Sequence, residues 1–93
     1  NDDMMPKEFA LHPAYPNPFN PSVTLRFNIE AHGYTSLYIY DITGRLVEIL
    51  VDRKLESGEY EILWDAGNLP SGIYFVQLKS GEKTITQKLT LLK

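Results

Sequence analysis

Apolar and polar residues alternate along most of this chain with the period of a half-buried strand. Val23, Leu25, Phe27 and Ile29 share one face of the run 23–29. Within 35–42, Leu37 and Ile39 face one way and Tyr38 and Tyr40 the other. Over 58–64, Tyr60, Ile62 and Trp64 alternate with Glu59, Glu61 and Leu63. Tyr74, Val76 and Leu78 are in phase over 73–79, as are Ile85, Leu89 and Leu91 over 84–92. The run 45–51 is ambiguous, because Leu46, Val47, Ile49 and Leu50 also suit one helical face. Its β-branched residues, and the turn closed by Gly44 before it, favour a strand. Phe9-Ala10-Leu11 reads as a short edge strand before Pro13.

Turn residues separate these runs at 30–33, 41–44, 65–72 and 80–82, and a charged loop is expected over 52–58. Six or seven short strands with no helix predict an all-β fold: an immunoglobulin-like antiparallel β-sandwich of about seven short strands. The chain has no cysteine, so the inter-sheet disulfide of antibody domains is absent and only the architecture is implied.

One stretch breaks the alternation. Tyr15-Pro16-Asn17-Pro18-Phe19-Asn20-Pro21 carries three prolines, each with a fixed φ and no backbone donor. The residues before them are pushed towards extended conformations, and Asn17 and Asn20 favour turns. No helix and no central strand forms from such a run. Tyr15 and Phe19 are large apolar groups with no use in a free linker, so both are expected to pin the loop to the sandwich.

Ninety-three residues suggest one domain, burying roughly 60–65% of its unfolded surface. Residues 1–8 read as a flexible linker from a preceding domain, and 9–93 as the folded unit. Asn1-Asp2-Asp3 before Met4-Met5-Pro6 suggests a piece of a longer protein. A formal charge of −3 argues against nucleic acid. No apolar run approaches the roughly 18 residues of a membrane span, so no membrane insertion is expected.

Candidate chemistry is sparse. His12 and His32 lie in separate loops without metal-ligand spacing, and no Gly-x-Ser-x-Gly or phosphate loop occurs. No catalytic residue, metal site or cofactor is expected. Asp41, Asp52, Asp65 and Asn68 sit in turns, where calcium takes oxygen ligands, but capping and turn formation explain them more simply. Trp64 and Tyr74 share phase with aliphatic residues and belong to the core. Tyr34, Tyr38 and Tyr40 are the candidates for an exposed sugar-stacking surface. Arg45 can pair with Asp41 across its turn. Near the end, Lys79, Lys83, Lys88 and Lys93 stand against Glu82 alone. Such a basic last strand either protects an edge or is displayed to a receptor, by surface contact or by strand addition.

The proline loop, Tyr40-Asp41-Ile42-Thr43-Gly44-Arg45, Trp64-Asp65, Ser71-Gly72-Ile73-Tyr74 and Lys88-Leu89-Thr90-Leu91-Leu92-Lys93 occur in that order. Together they resemble the C-terminal sorting domain of the type IX secretion system, type A, over about Leu11 to Lys93. The resemblance implies a non-catalytic module that directs an attached cargo across the outer membrane, through the periplasm, to the cell surface or medium. Its implied partners are an outer-membrane translocon, shuttle and sortase-like proteins, and a cargo domain ahead of this chain. It also implies recognition at Lys88, Leu89, Thr90, Leu91, Leu92 and Lys93. Tyr15 to Pro21, Asp41, Gly44, Arg45, Trp64, Asp65, Gly72 and Tyr74 are then chiefly fold-specifying. An Ig-like accessory module of a secreted enzyme and a carbohydrate-binding module remain the alternatives.

Overall fold

The computed structural model describes residues 8–93; the expected linker therefore lies outside the described residues except for Glu8. Seven strands follow one another: β1 (Ala10–Leu11), β2 (Ser22–Ile29), β3 (Gly33–Asp41), β4 (Leu46–Leu55), β5 (Gly58–Asp65), β6 (Gly72–Ser80) and β7 (Lys83–Leu91). They form a three-stranded sheet, β1-β2-β5, and a four-stranded sheet, β4-β3-β6-β7, antiparallel throughout. The predicted immunoglobulin-like sandwich is present. Its fourth strand pairs with the third, whereas in constant-type immunoglobulin domains that strand joins the opposite sheet.

The alternation explains the core. Val23, Leu25, Phe27 and Ile29 of β2 are fully buried against Leu37, Ile39, Val76 and Leu78 of the other sheet. Trp64 and Tyr74 are buried beside Phe19, with ring centroids 5.5 Å apart for Phe19–Trp64 and 6.0 Å for Trp64–Tyr74. Tilted and edge-on pairs of this kind add about 0.5–1.5 kcal/mol beyond their buried area. The Tyr74 hydroxyl donates to the carbonyl of Pro70 at 2.7 Å. This bond staples the start of β6 to the preceding loop, as the tyrosine corner of sandwich domains does.

Two expectations need correction. Residues 52–58 are not a loop: β4 runs on to Leu55, and only Glu56 and Ser57 connect it to β5. Val51 and Leu55 reach the core while the charged Asp52, Arg53 and Lys54 between them stay exposed, so the run of charge imitates a loop. The first half of β4 carries two register shifts. Leu37 faces Val51 while Tyr38 faces Ile49, and Ile39 faces Glu48 while Tyr40 faces Leu46. Leu50 and Val47 are thus extra, bulged residues. Each insertion resets the apolar phase, which produced the helix-like pattern over 46–50. The other correction concerns Tyr15, whose ring is 77% exposed and pins nothing, whereas Phe19 is 2% exposed.

Candidate functional site

Antiparallel pairing gathers the distant motifs at one pole of the sandwich. Ser22 lies opposite Asp65, Asp41 opposite Tyr74, and Leu91 opposite Gly72. The other pole carries the Ile29–Gly58, Gly33–Leu55 and Ser80–Lys83 pairs. The chain reaches its first strand near that second pole, where Ala10 pairs with Asn28. The eight residues of β2 separate the poles by about 24 Å.

The segment after β1 changes sheets. His12 donates its amide to the Arg26 carbonyl at 2.9 Å, and Tyr15 exchanges backbone bonds with Thr24 at 2.8 and 3.1 Å, so the chain first follows β2. The prolines then turn it across to β7. There the Phe19 amide donates to Thr90 at 2.9 Å, and the Leu92 amide donates to Phe19 at 3.0 Å. Asn17 extends this ladder with its side chain: its amide group donates to the Lys88 carbonyl and its oxygen accepts from the Thr90 amide, both at 3.0 Å. An asparagine side chain matches a peptide group in donor and acceptor, so a run poor in backbone donors still pairs with a strand. At the loop's other end, the Ala66 amide donates to the Pro21 carbonyl at 2.9 Å, tying it to the corner after Trp64-Asp65.

Lys88 to Lys93 and the proline loop are therefore one structural unit. Within the terminal segment, Leu89 and Leu91 are fully buried. Lys88, Leu92 and Lys93 are exposed and Thr90 is half-buried. The last strand is not an open edge at its end: from the Lys88 carbonyl to the Leu92 amide, the outward backbone groups of β7 are engaged by the loop. Gln87 completes the clasp, accepting from the Ala14 amide at 2.7 Å and donating to the His12 carbonyl at 2.9 Å. Sequence reasoning missed it, although a polar residue in the inward phase between Ile85 and Leu89 was a visible signal.

The turn at 41–45 is built around one carboxylate. Asp41 Oδ1 accepts from the Thr43 hydroxyl at 2.6 Å, the Thr43 amide at 2.9 Å and the Arg45 amide at 3.0 Å. The Thr43 hydroxyl, followed by the Arg45 amide, holds this carboxyl below the usual aspartate range. Gly44 sits at φ +88°, where a side chain would be strained. The Arg45 guanidinium comes only within 3.8 Å of Asp41 and is 83% exposed. The arginine's backbone, more than its charge, shapes the turn. Beside it opens a shallow cleft of about 330 Å³ lined by Arg45, Val47, Leu69, Ser71 and Ile73. Lys93 closes the same pole, its amide donating to Ser71 Oγ at 2.9 Å and its ammonium to the Gly67 carbonyl at 2.8 Å.

The alternative chemistries find little support in this geometry. Among the described residues no three His, Cys, Asp or Glu side chains gather to hold a metal. Asp65 caps the Gly67 amide at 2.8 Å and Asp52 accepts the Tyr34 hydroxyl. Tyr38 and Tyr40 meet edge-on, 64° between planes, which is no flat platform for a sugar ring.

Comparison with known proteins agrees with this arrangement. The family described as "Secretion system C-terminal sorting domain" matches residues 13–92. Among solved structures, the chain is similar to PorZ of Porphyromonas gingivalis, described as an essential bacterial surface component of the type-IX secretion system. That match has 25% identity and a TM-score of 0.64, covering 90% of this chain and 12% of PorZ. Dimeric latent PorU from the same organism matches with 23% identity and a TM-score of 0.64, over 88% of this chain and 9% of PorU. The chain thus spans a small part of either protein, and the PorU likeness concerns the fold. No curated protein matches. The five motifs, their convergence on one pole and the match over 13–92 make this chain a member of the family of type IX secretion system C-terminal sorting domains.

Proposed function

We propose that this domain is a non-catalytic export address: it directs a cargo joined ahead of Phe9 through the periplasm and across the outer membrane. The carrying observation is the family match over residues 13–92. Sorting tails are in general non-catalytic, so the work done is binding. The partners are an outer-membrane translocon and the shuttle or sortase-like proteins that handle cargo on either side of it. Recognition is assigned to the terminal segment, Lys88 to Lys93. The buried Leu89 and Leu91 support that segment from the core, and Lys88, Thr90, Leu92 and Lys93 are available to a receptor. The long axis supports the same reading, since cargo enters near one pole and the motif residues lie about 24 Å away at the other.

The test is a periplasm-targeted reporter fused ahead of the whole chain, in a host with a type IX translocon and in the same host lacking it. Surface labelling of the reporter in the first strain only is expected. Periplasmic retention in both refutes the reading and leaves the accessory-module role.

A further inference from the structure

The two outer faces of the sandwich differ in chemistry. Direct cross-strand partners share a face, so the register identifies what each face presents. On the four-stranded sheet, Tyr38 faces Ile49 and Gln77, and Tyr40 faces Leu46 and Phe75. Ile49 is 49% and Leu46 47% exposed, and Tyr38, Tyr40 and Phe75 are half-buried beside them. Lysines surround this apolar centre: Lys54 opposite Tyr34, Lys79 opposite Ser36, and Lys88 opposite Phe75. The carboxylate in the same set is Asp52, which accepts the Tyr34 hydroxyl. The outer face of the three-stranded sheet carries the opposite charge, with Glu59, Glu61 and Asp65 against Arg26. Its exposed Leu63 stands between carboxylates and not among lysines.

An apolar, tyrosine-rich centre inside a charged rim is the anatomy of a protein-binding surface. We propose that the outer face of β4-β3-β6-β7 docks an export-route protein that presents an apolar patch with an acidic rim. Charge complementarity selects that partner on a domain whose net charge is itself −3. A symmetric contact with a second copy would bring this lysine-rimmed surface against an identical one. The inference rests on the sorting-domain reading and extends it: β7 supplies Lys88 to this face while its end holds the clasp.

The full-chain reporter fusion tests it with Ile49→Lys, with the pair Lys54→Glu and Lys79→Glu, and with Glu61→Lys on the opposite face as control. These positions are exposed, so unchanged melting temperatures are expected. Wild type and Glu61→Lys should reach the surface equally, while Ile49→Lys and the lysine pair should lower surface reporter about tenfold. Normal delivery of both face variants beside exported wild type overturns this proposal and leaves the sorting reading standing. Failure of the wild type overturns both. A wild-type chain that is dimeric by light scattering, and monomeric as Ile49→Lys, assigns the face to a second copy and also overturns it.

Discussion

The side-chain oxygen of Asn17 accepts a hydrogen bond from the backbone amide of Thr90 at 3.0 Å, across 73 residues of sequence. With the return bond to Lys88, it makes the start of the domain a surrogate strand for its last one. An edge that could recruit a foreign strand is thereby occupied from within.

Asn17→Ala removes both bonds and should lower stability by about 1–2 kcal/mol. Urea unfolding checks this. Tyr15→Ala, two residues away, should change it by less than about 0.5 kcal/mol, because that ring is exposed.

Phe19→Ala should be far more damaging, costing about 3–5 kcal/mol. Phe19 fills space against Trp64, the single tryptophan of the chain. The emission of Trp64 should shift to longer wavelength in whatever fraction stays folded.

The Tyr74 hydroxyl bond to Pro70 should contribute about 0.5–1.5 kcal/mol. Tyr74→Phe keeps the ring in the core and deletes only that bond, so its melting temperature should fall modestly while Trp64 emission stays unchanged.

Acid should loosen the 41–45 turn. The Asp41 carboxyl has a lower pKa folded than unfolded. Its stabilising contribution is complete above the unfolded value of about 3.9 and is lost as pH falls through the folded one. The urea midpoint of Asp41→Asn should therefore lie below wild type at neutral pH, and the gap should close below about pH 4.

Deleting Lys88 to Lys93 does not isolate recognition. It removes Leu89 and Leu91 from the core and Thr90 from the clasp, and circular dichroism should report an unfolded chain. Lys88→Glu with Lys93→Glu, or Leu92→Asp, leaves the core intact. These variants should reduce surface delivery of a fused reporter with a melting temperature within a few degrees of wild type.

Much of this fold was legible from alternation. β2, β3 and β6 bury the residues their period assigns, and β5 and β7 turn theirs inward, with Tyr60, Ile62 and Ile85 half-buried. β4 was half legible: the extra residues Val47 and Leu50 blurred its first half into a helix-like pattern, and the charged run Asp52-Arg53-Lys54 made its regular second half look like a loop. The proline loop was recognisable as specified structure, and Phe19 as its anchor. Its destination was not legible, since Asn17 pairs with a strand some seventy residues on and a side-chain surrogate for a peptide group leaves no periodic trace. That is why the proline loop and the terminal segment, separate along the chain, are neighbours in space.

The most direct measurement is amide hydrogen exchange at Thr90. Its N–H faces away from β6, so on an open edge strand it would exchange at the rate of an unprotected amide. The clasp predicts protection of Thr90 in the wild type, and selective loss of it in Asn17→Ala with Leu89 and Leu91 still protected. Fast exchange of Thr90 in the wild-type domain would contradict the union of the proline loop with the terminal strand.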